Sequence, residues 1–304
     1  MENLTETGCL LMNQPFPKYI FALLLFGSNG VVASMIALSS YEIVLLRSLL
    51  GCLFVVSIFF IGKNKLTFPA HKKSFILLCV AGCATGATWI LLYEAYQRIS
   101  VSIATLCMYF GPAIVMALSP FLFRERLTRR KAVSFLLVLF GMVLINGQLA
   151  GNNCDIFGLF CGILSAITYA AAISCNKCAK EIGGLENTAI QMVFTLFTAA
   201  LFVGITRGYS IKIASSDIFP ILMLGLINTG IGSYFFLSSM NVLPVQTVAI
   251  CGYLEPLAAV IFSMLFLHET LMPIQAIGAV LILGGAVFGE LRQKQPSKEA
   301  AQSV

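Results

Sequence analysis

Apolar positions along this chain come in unbroken blocks of about twenty residues, separated by short polar stretches, with no alternation of polar and apolar residues inside the blocks. Ten blocks can be marked out, at 18–38, 41–61, 74–98, 101–123, 130–148, 154–176, 187–207, 217–238, 245–267 and 273–290. A helix needs roughly 20 apolar residues to cross a bilayer. The intervals carry helix breakers: Gly62-Lys63-Asn64, Gly151-Asn152-Asn153, Gly183-Gly184 and Pro273. A closed β-barrel is the other structure that spans lipid, but its strands alternate over about ten residues. The blocks here are too long and too uniform for that. The pattern predicts an all-α integral membrane protein with ten transmembrane helices.

Composition and charge then fix class and orientation. Apolar residues make up 59% of the 304 and charged residues 11%, with a mean hydropathy of +0.93. A soluble domain carries about 25% charge, so disorder, a secreted disulfide scaffold and a soluble nucleic-acid binder are excluded as classes. Most of the ten cysteines sit inside apolar blocks, where Cys acts as a small hydrophobe. Cys175 and Cys178 form a C-x-x-C with no second pair or His cluster, so helix packing is their expected role and no metal or other cofactor is expected. With the N-terminus inside, fifteen Lys and Arg fall on inner segments and three (Arg98, Arg207, Lys212) on outer ones, with Arg47 inside a span. That asymmetry places both termini in the cytoplasm and the chain in the cell membrane. Residues 1–17 read as a cytoplasmic segment without the form of a cleaved signal peptide, and 291–304 as a polar cytoplasmic tail.

The chain repeats itself. Residues 93–146 align with 237–290 without gaps, at a constant offset of 144. Tyr109 meets Tyr253, Pro112 meets Pro256, Ser119 meets Ser263, Glu125 meets Glu269, Leu127 meets Leu271 and Gly141 meets Gly285. Two five-helix repeats are expected, 18–148 and 154–290. Five is odd, so the second copy enters the bilayer upside down, and the loops bearing Glu125 and Glu269 lie on opposite sides. Inverted repeats mark alternating-access transporters, with the substrate site at the repeat interface near midplane.

The motifs carry a family resemblance. They are Trp89-Ile90-Leu91-Leu92-Tyr93-Glu94-Ala95-Tyr96, Thr105-Leu106-Cys107-Met108-Tyr109-Phe110-Gly111-Pro112 and Arg124-Glu125-Arg126-Leu127-Thr128, then Gln246-Thr247-Val248-Ala249, Tyr253-Leu254-Glu255-Pro256 and His268-Glu269-Thr270-Leu271. From about 18 to 290 the chain resembles the drug/metabolite transporter superfamily, in its EamA-type ten-helix branch. The resemblance implies two inverted repeats around a central cavity and movement of small organic solutes, often export of amino acids or metabolites. The four-helix multidrug relatives carry a coupling carboxylate in their first helix. Here that helix has Ser28 and Asn29 and no acid, so their proton mechanism does not carry over.

Several residues are candidates for the site. Pro112 and Pro256 fall mid-span, where a proline loses a backbone bond and kinks a helix; the kinks either serve packing or open backbone to a cavity. Tyr109 and Tyr253, one turn earlier, offer a ring and a hydroxyl. Glu255 is an acid near the middle of a span, where insertion costs roughly 2.5–3.5 kcal/mol; it faces a cavity or bonds a neighbouring helix. Arg47 is the one cation well inside a span, and either pairs with Glu94 or Glu42 or binds a substrate carboxylate. Asn29, Trp89, Tyr93, Tyr169, Asn176, Asn228 and Tyr234 are polar or amphipathic groups suited to a cavity wall or to interhelical hydrogen bonds. Glu125 and Glu269 are expected to cap the helices that follow them. The pairs Gly82 and Gly86, Gly158 and Gly162, and Gly285 and Gly289 allow close helix approach within one chain.

The expected function is a secondary transporter for a small organic solute, an amino acid or related metabolite, working by alternating access, with export as the family direction and protons as the candidate coupling ion. An importer or facilitator and a lipid flippase are the alternatives. An enzyme is not expected: His71 and His268 fall in loops and Asp155 and Asp217 at span ends, so no midplane dyad forms. Phosphate esters need cations that the cavity lacks apart from Arg47. The expected partners are the substrate and the lipid bilayer, not nucleic acid, and the chain is expected to be a monomer or weak homodimer.

Overall fold

The computed structural model describes residues 14–99, 101–125, 127–146, 155–206, 208, 211–266 and 272–290. Among these, all regular structure is helical. The helices are α1 (Pro15–Gly27), α2 (Asn29–Ser34), α3 (Ser40–Ile61), α4 (Lys72–Arg98), α5 (Val101–Met108), α6 (Phe110–Leu122), α7 (Arg129–Asn146), α8 (Ile156–Cys178), α9 (Gly184–Thr206), α10 (Ile218–Leu222), α11 (Gly232–Met240), α12 (Val245–Cys251), α13 (Leu254–Phe266) and α14 (Pro273–Glu290). Between α10 and α11, Met223–Ile231 winds as a π-helix. Seven runs are long and apolar enough to cross a membrane: Pro15–Ser34, Ser40–Ile61, Lys72–Arg98, Ile156–Cys178, Gly184–Thr206, Ser215–Met240 and Val245–Phe266. The other three expected spans are helical too, with local reasons for falling short. The chain breaks at Tyr109 between α5 and α6, α7 opens with Arg129, Arg130 and Lys131, and the apolar part of α14 is short.

Local chemistry sets several boundaries. Ser39 and Glu42 form a capping box at the start of α3, with the Ser39 amide donating to Glu42 Oε2 at 2.8 Å. Asp155 caps α8 by accepting from the Phe157 amide at 2.9 Å. The first span is interrupted at Ser28, whose hydroxyl donates to the Leu25 carbonyl at 2.7 Å.

The two proline-bearing spans are broken at equivalent places, one between Met108 and Phe110 and the other between Cys251 and Leu254. This corrects the expected mid-helix kink. Pro112 and Pro256 each sit third in the helix that resumes after the break, in the first turn, where a missing N–H costs little. The Gly252 carbonyl, which Pro256 cannot serve, accepts from the Glu255 amide at 3.2 Å instead.

Contacts in one half reappear in the other with the partners exchanged. On α7 a side chain at Gly141 would meet the Gly278 carbonyl and Ile282; on α14 one at Gly285 would meet Val138 and the Ser134 carbonyl. Residues 134 and 278, 138 and 282, and 141 and 285 are each 144 apart, the separation that also divides Tyr109 from Tyr253. Likewise Gly86 faces Thr198 while Gly230 faces Phe54. Gly82 faces Phe194 and Gly225 faces Leu50. Four steps separate Gly82 from Gly86 and five separate Gly225 from Gly230, and the extra residue lies inside the π-helix. A one-residue insertion is how such a segment arises, and these segments recur at functional sites. Gly158 and Gly162 admit Ile99 and Cys107 just as closely.

Gly285→Val is expected to destabilise the α7–α14 seam. The added Cβ would stand 2.7 Å from Val138 and 3.1 Å from the Ser134 carbonyl, and overpacking of this kind costs about 1–3 kcal/mol. Thermal unfolding in detergent should show a clear drop in Tm. Gly284→Ala is the control, because its Cβ meets nothing within 4 Å. Equal Tm values for the two variants would mean the seam is looser than drawn.

Candidate functional site

A cavity of about 630 Å³ lies among the helices. Its wall brings together Asn29, Arg47, Trp89, Tyr93, Tyr109, Tyr169, Glu255 and Pro256 from the expected set. Pro112, Asn228, Tyr234, Tyr253 and Glu94 lie elsewhere, and each has a physical reason. Pro112 is buried in the first turn of α6. Asn228 is fully buried behind the wall, where its amide donates to the Leu25 carbonyl, Ser28 Oγ and Asn29 Oδ1 at 2.8–2.9 Å, tying the α1–α2 break to the π-helix. Tyr234 is half-buried with its ring against Phe235. Tyr253 is fully buried, and its hydroxyl donates to the Tyr109 carbonyl at 2.7 Å. The two tyrosine rings pack with centroids 6.0 Å apart, so the breaks of these two spans meet each other.

Glu94 accepts from Arg98 Nε at 2.9 Å and from the Tyr41 hydroxyl, and Glu42 is committed to its capping box. The expected fixed pair of Arg47 with either acid is therefore not made. Arg47 is held without an acid in contact. Its Nε donates to Thr229 Oγ1 at 3.0 Å, its guanidinium lies 4.4 Å from the Trp89 ring centroid, and Tyr93 lines the same cavity. Cation–π contact contributes about 2 kcal/mol or more where water is excluded. Thr229 belongs to the π-helix, so the inserted residue helps to place the oxygen that orients Arg47.

Glu255 stands in the first turn of α13, immediately after the break. The positive end of that helix favours a carboxylate there. Tyr109 and Arg47 line the same cavity. Among the described residues the ion pairs are His71–Glu181, Arg98–Glu94 and Arg98–Asp155, and none joins Arg47 to Glu255.

Other lining residues escaped the sequence reading: Thr85, Thr88, Tyr96, Thr105, Gln191, Ser233, Met240 and Gln275. The repeat offset was the signal for several of them. It carries Arg47 to Gln191, Trp89 to Ser233, Tyr93 to Leu237 and Tyr96 to Met240, all on the wall. It also carries Gly111 to Glu255. Each charged position thus has a neutral mate, and the α4 face is aromatic and hydroxylated where the α11 face is mainly apolar.

Glu125 does not cap the helix that follows it. Its carboxylate accepts the Val245 and Gln246 amides at 2.8 and 3.2 Å, at the start of α12 in the other half. His268 and Glu269 lie outside the described residues.

Comparison with known proteins agrees with this architecture. A crystal structure of a protein 20% identical in sequence superposes with a TM-score of 0.77, over 90% of this chain and 97% of that one. The protein named "Uncharacterized transporter YxxF" of Bacillus subtilis is 23% identical over 295 residues, 94% of this chain and 93% of its own length. One named "Probable amino-acid metabolite efflux pump" of Salmonella typhimurium is 27% identical over 202 residues, 62% of this chain and 67% of its own. The EamA-like transporter family matches twice, over residues 18–147 and again over 156–289. The chain is a multi-pass membrane protein and belongs to the EamA-like transporter family.

Proposed function

We propose that this chain is an alternating-access secondary transporter that exports a small zwitterionic solute, an amino acid or related metabolite, across the cytoplasmic membrane. The observation that carries the reading is one cavity lined by both Arg47 and Glu255, with no ion pair between the two among the described residues. A solute carboxylate takes the free edge of Arg47 and a solute ammonium takes Glu255. The aromatic groups between them (Trp89, Tyr93, Tyr109, Tyr169) receive the solute's apolar body. Burial of a charge without a partner is costly, so the site is most stable when the ligand supplies both missing partners.

Ten helices in two inverted five-helix repeats are the proposed architecture, supported by the exchanged contacts of the halves and by the double family match. The basic loops support cytoplasmic termini. Export is supported by the printed name of the Salmonella relative and by the family resemblance.

Counterflow in proteoliposomes tests the substrate class. Vesicles loaded with a mixture of amino acids should take up labelled amino acid faster than empty vesicles, and unlabelled zwitterions should compete. Sugar phosphates should neither enter nor compete. Saturable uptake of a sugar phosphate, with no response to amino acids, would overturn the reading.

A further inference from the structure

The cavity reaches Ala33, Met264 and Gln275 toward the end of the bundle that carries Asp155. At the other end it stops at Gln191 and Met240. Below that floor, the turn between α11 and α12 is held from both sides by opposite charges. Lys177 Nζ donates to the carbonyls of Met240 (2.6 Å) and Leu243, where α11 ends. Glu125 accepts the first amides of α12, from Val245 and Gln246. Each charge matches the pole of the helix it meets, a cation at a C-terminus and an anion at an N-terminus. The Gln246 side chain adds a bond to Ser119 Oγ at 3.1 Å, so three segments close on one turn. Arg124, just before Glu125, has φ of 56°, a left-handed conformation unusual for a residue with a side chain.

The clasp is wired to the cavity. Gln191 on the cavity wall donates to Asn176 Oδ1 at 2.7 Å, and Asn187 does so at 2.8 Å. Asn176 in turn donates to Asn241 Oδ1 at 3.0 Å, inside the clasped turn. Asn176, Asn187 and Gln191 are all buried. A solute that re-orients Gln191 therefore alters the bonds that hold the turn.

From this geometry we infer that Glu125 and Lys177 form the latch of the gate at this end of the cavity, and that the Gln191–Asn187–Asn176 chain links it to the occupied site. Lys177 and Glu125 each hold two backbone groups of the turn while the latch is shut, and opening must release both sets of charge-assisted contacts together. The inference rests on the alternating-access reading, which makes the latch the cytoplasmic gate and the structure an outward-open form.

Sided labelling tests it. Ala172 lines the cavity, and Ala172→Cys on a background lacking the ten native cysteines gives a reporter for an impermeant maleimide. The parent should label mainly from outside. Glu125→Gln, and independently Lys177→Met, should raise labelling from the cytoplasmic side by roughly ten-fold, the population shift expected for loss of one charged hydrogen bond. Glu42→Gln, which loosens a capping box at the opposite end, should leave cytoplasmic labelling unchanged. Unchanged labelling in both latch variants, or an equal rise in Glu42→Gln, overturns the latch. A parent that labels from neither side, or that never changes sidedness when solute is supplied, overturns the alternating-access reading as well, and is told apart from failure of the latch by the parent alone.

Discussion

Arg47→Gln is expected to lower saturable transport of carboxylate-bearing solutes by at least about 100-fold, because two charge-assisted hydrogen bonds of about 1.5–3 kcal/mol each are lost. The surroundings explain why the loss should fall on transport and not on folding. Arg47 has no acid partner to abandon, so removing its charge strands no buried carboxylate. A glutamine, Gln191, stands 144 residues further on, buried on the same cavity. A glutamine amide can still donate toward Thr229 Oγ1. It offers no positive charge and no second parallel N–H to a carboxylate. Arg47→Lys should be intermediate, with charge restored but the planar fork absent. Trp89→Leu should weaken transport less, by removing the ring 4.4 Å from the guanidinium while leaving the charge in place. Counterflow rates normalised to folded protein measure all three. A full rate in Arg47→Gln would move the carboxylate site elsewhere and leave Arg47 as a packing residue.

The parts of this site that could be read beforehand were those written in residue type and period. Apolar blocks located the helices because the bilayer imposes a length. The 144-residue offset paired Tyr109 with Tyr253, and the structure puts those two side by side. Tertiary bonds were not legible. Asn228 and Tyr253 looked like cavity polar groups, but a buried polar side chain can bond a neighbouring helix instead, as the Asn228 amide nitrogen and the Tyr253 hydroxyl do. Glu125 looked like a cap for its own helix because capping is usually local; its partner lies 120 residues away. The prolines pointed to the broken spans but misplaced the breaks by a few residues, since proline suits a first turn. The π-helix was invisible because one added residue in an apolar run leaves the hydropathy pattern intact. Its mark appears only when Gly82 and Gly86 are set against Gly225 and Gly230.

Glu255→Gln is expected to abolish accumulation driven by a pH gradient while sparing solute exchange. Glu255 sits in the first turn of α13 and lines the cavity. Alternating access would expose it to the two aqueous phases in turn, so a proton taken on one side is given up on the other. With one proton per cycle, a gradient of one pH unit supports at most about ten-fold accumulation, since one pH unit is 1.36 kcal/mol. Glutamine keeps the size but carries no titratable proton, so the accumulation ratio should fall to about one, that is, to simple equilibration across the bilayer. Counterflow needs no net proton movement, and should persist at a reduced rate because the solute ammonium has lost its anion. The two assays separate the roles of the residue. Loss of both accumulation and counterflow, with solute binding also gone, would mean that Glu255 binds solute only. Retention of full accumulation in a folded Glu255→Gln protein would remove protons from this residue altogether. Glu94, next to the lining residue Tyr93, is already engaged by Arg98 and Tyr41, which would leave facilitated diffusion as the simpler mechanism.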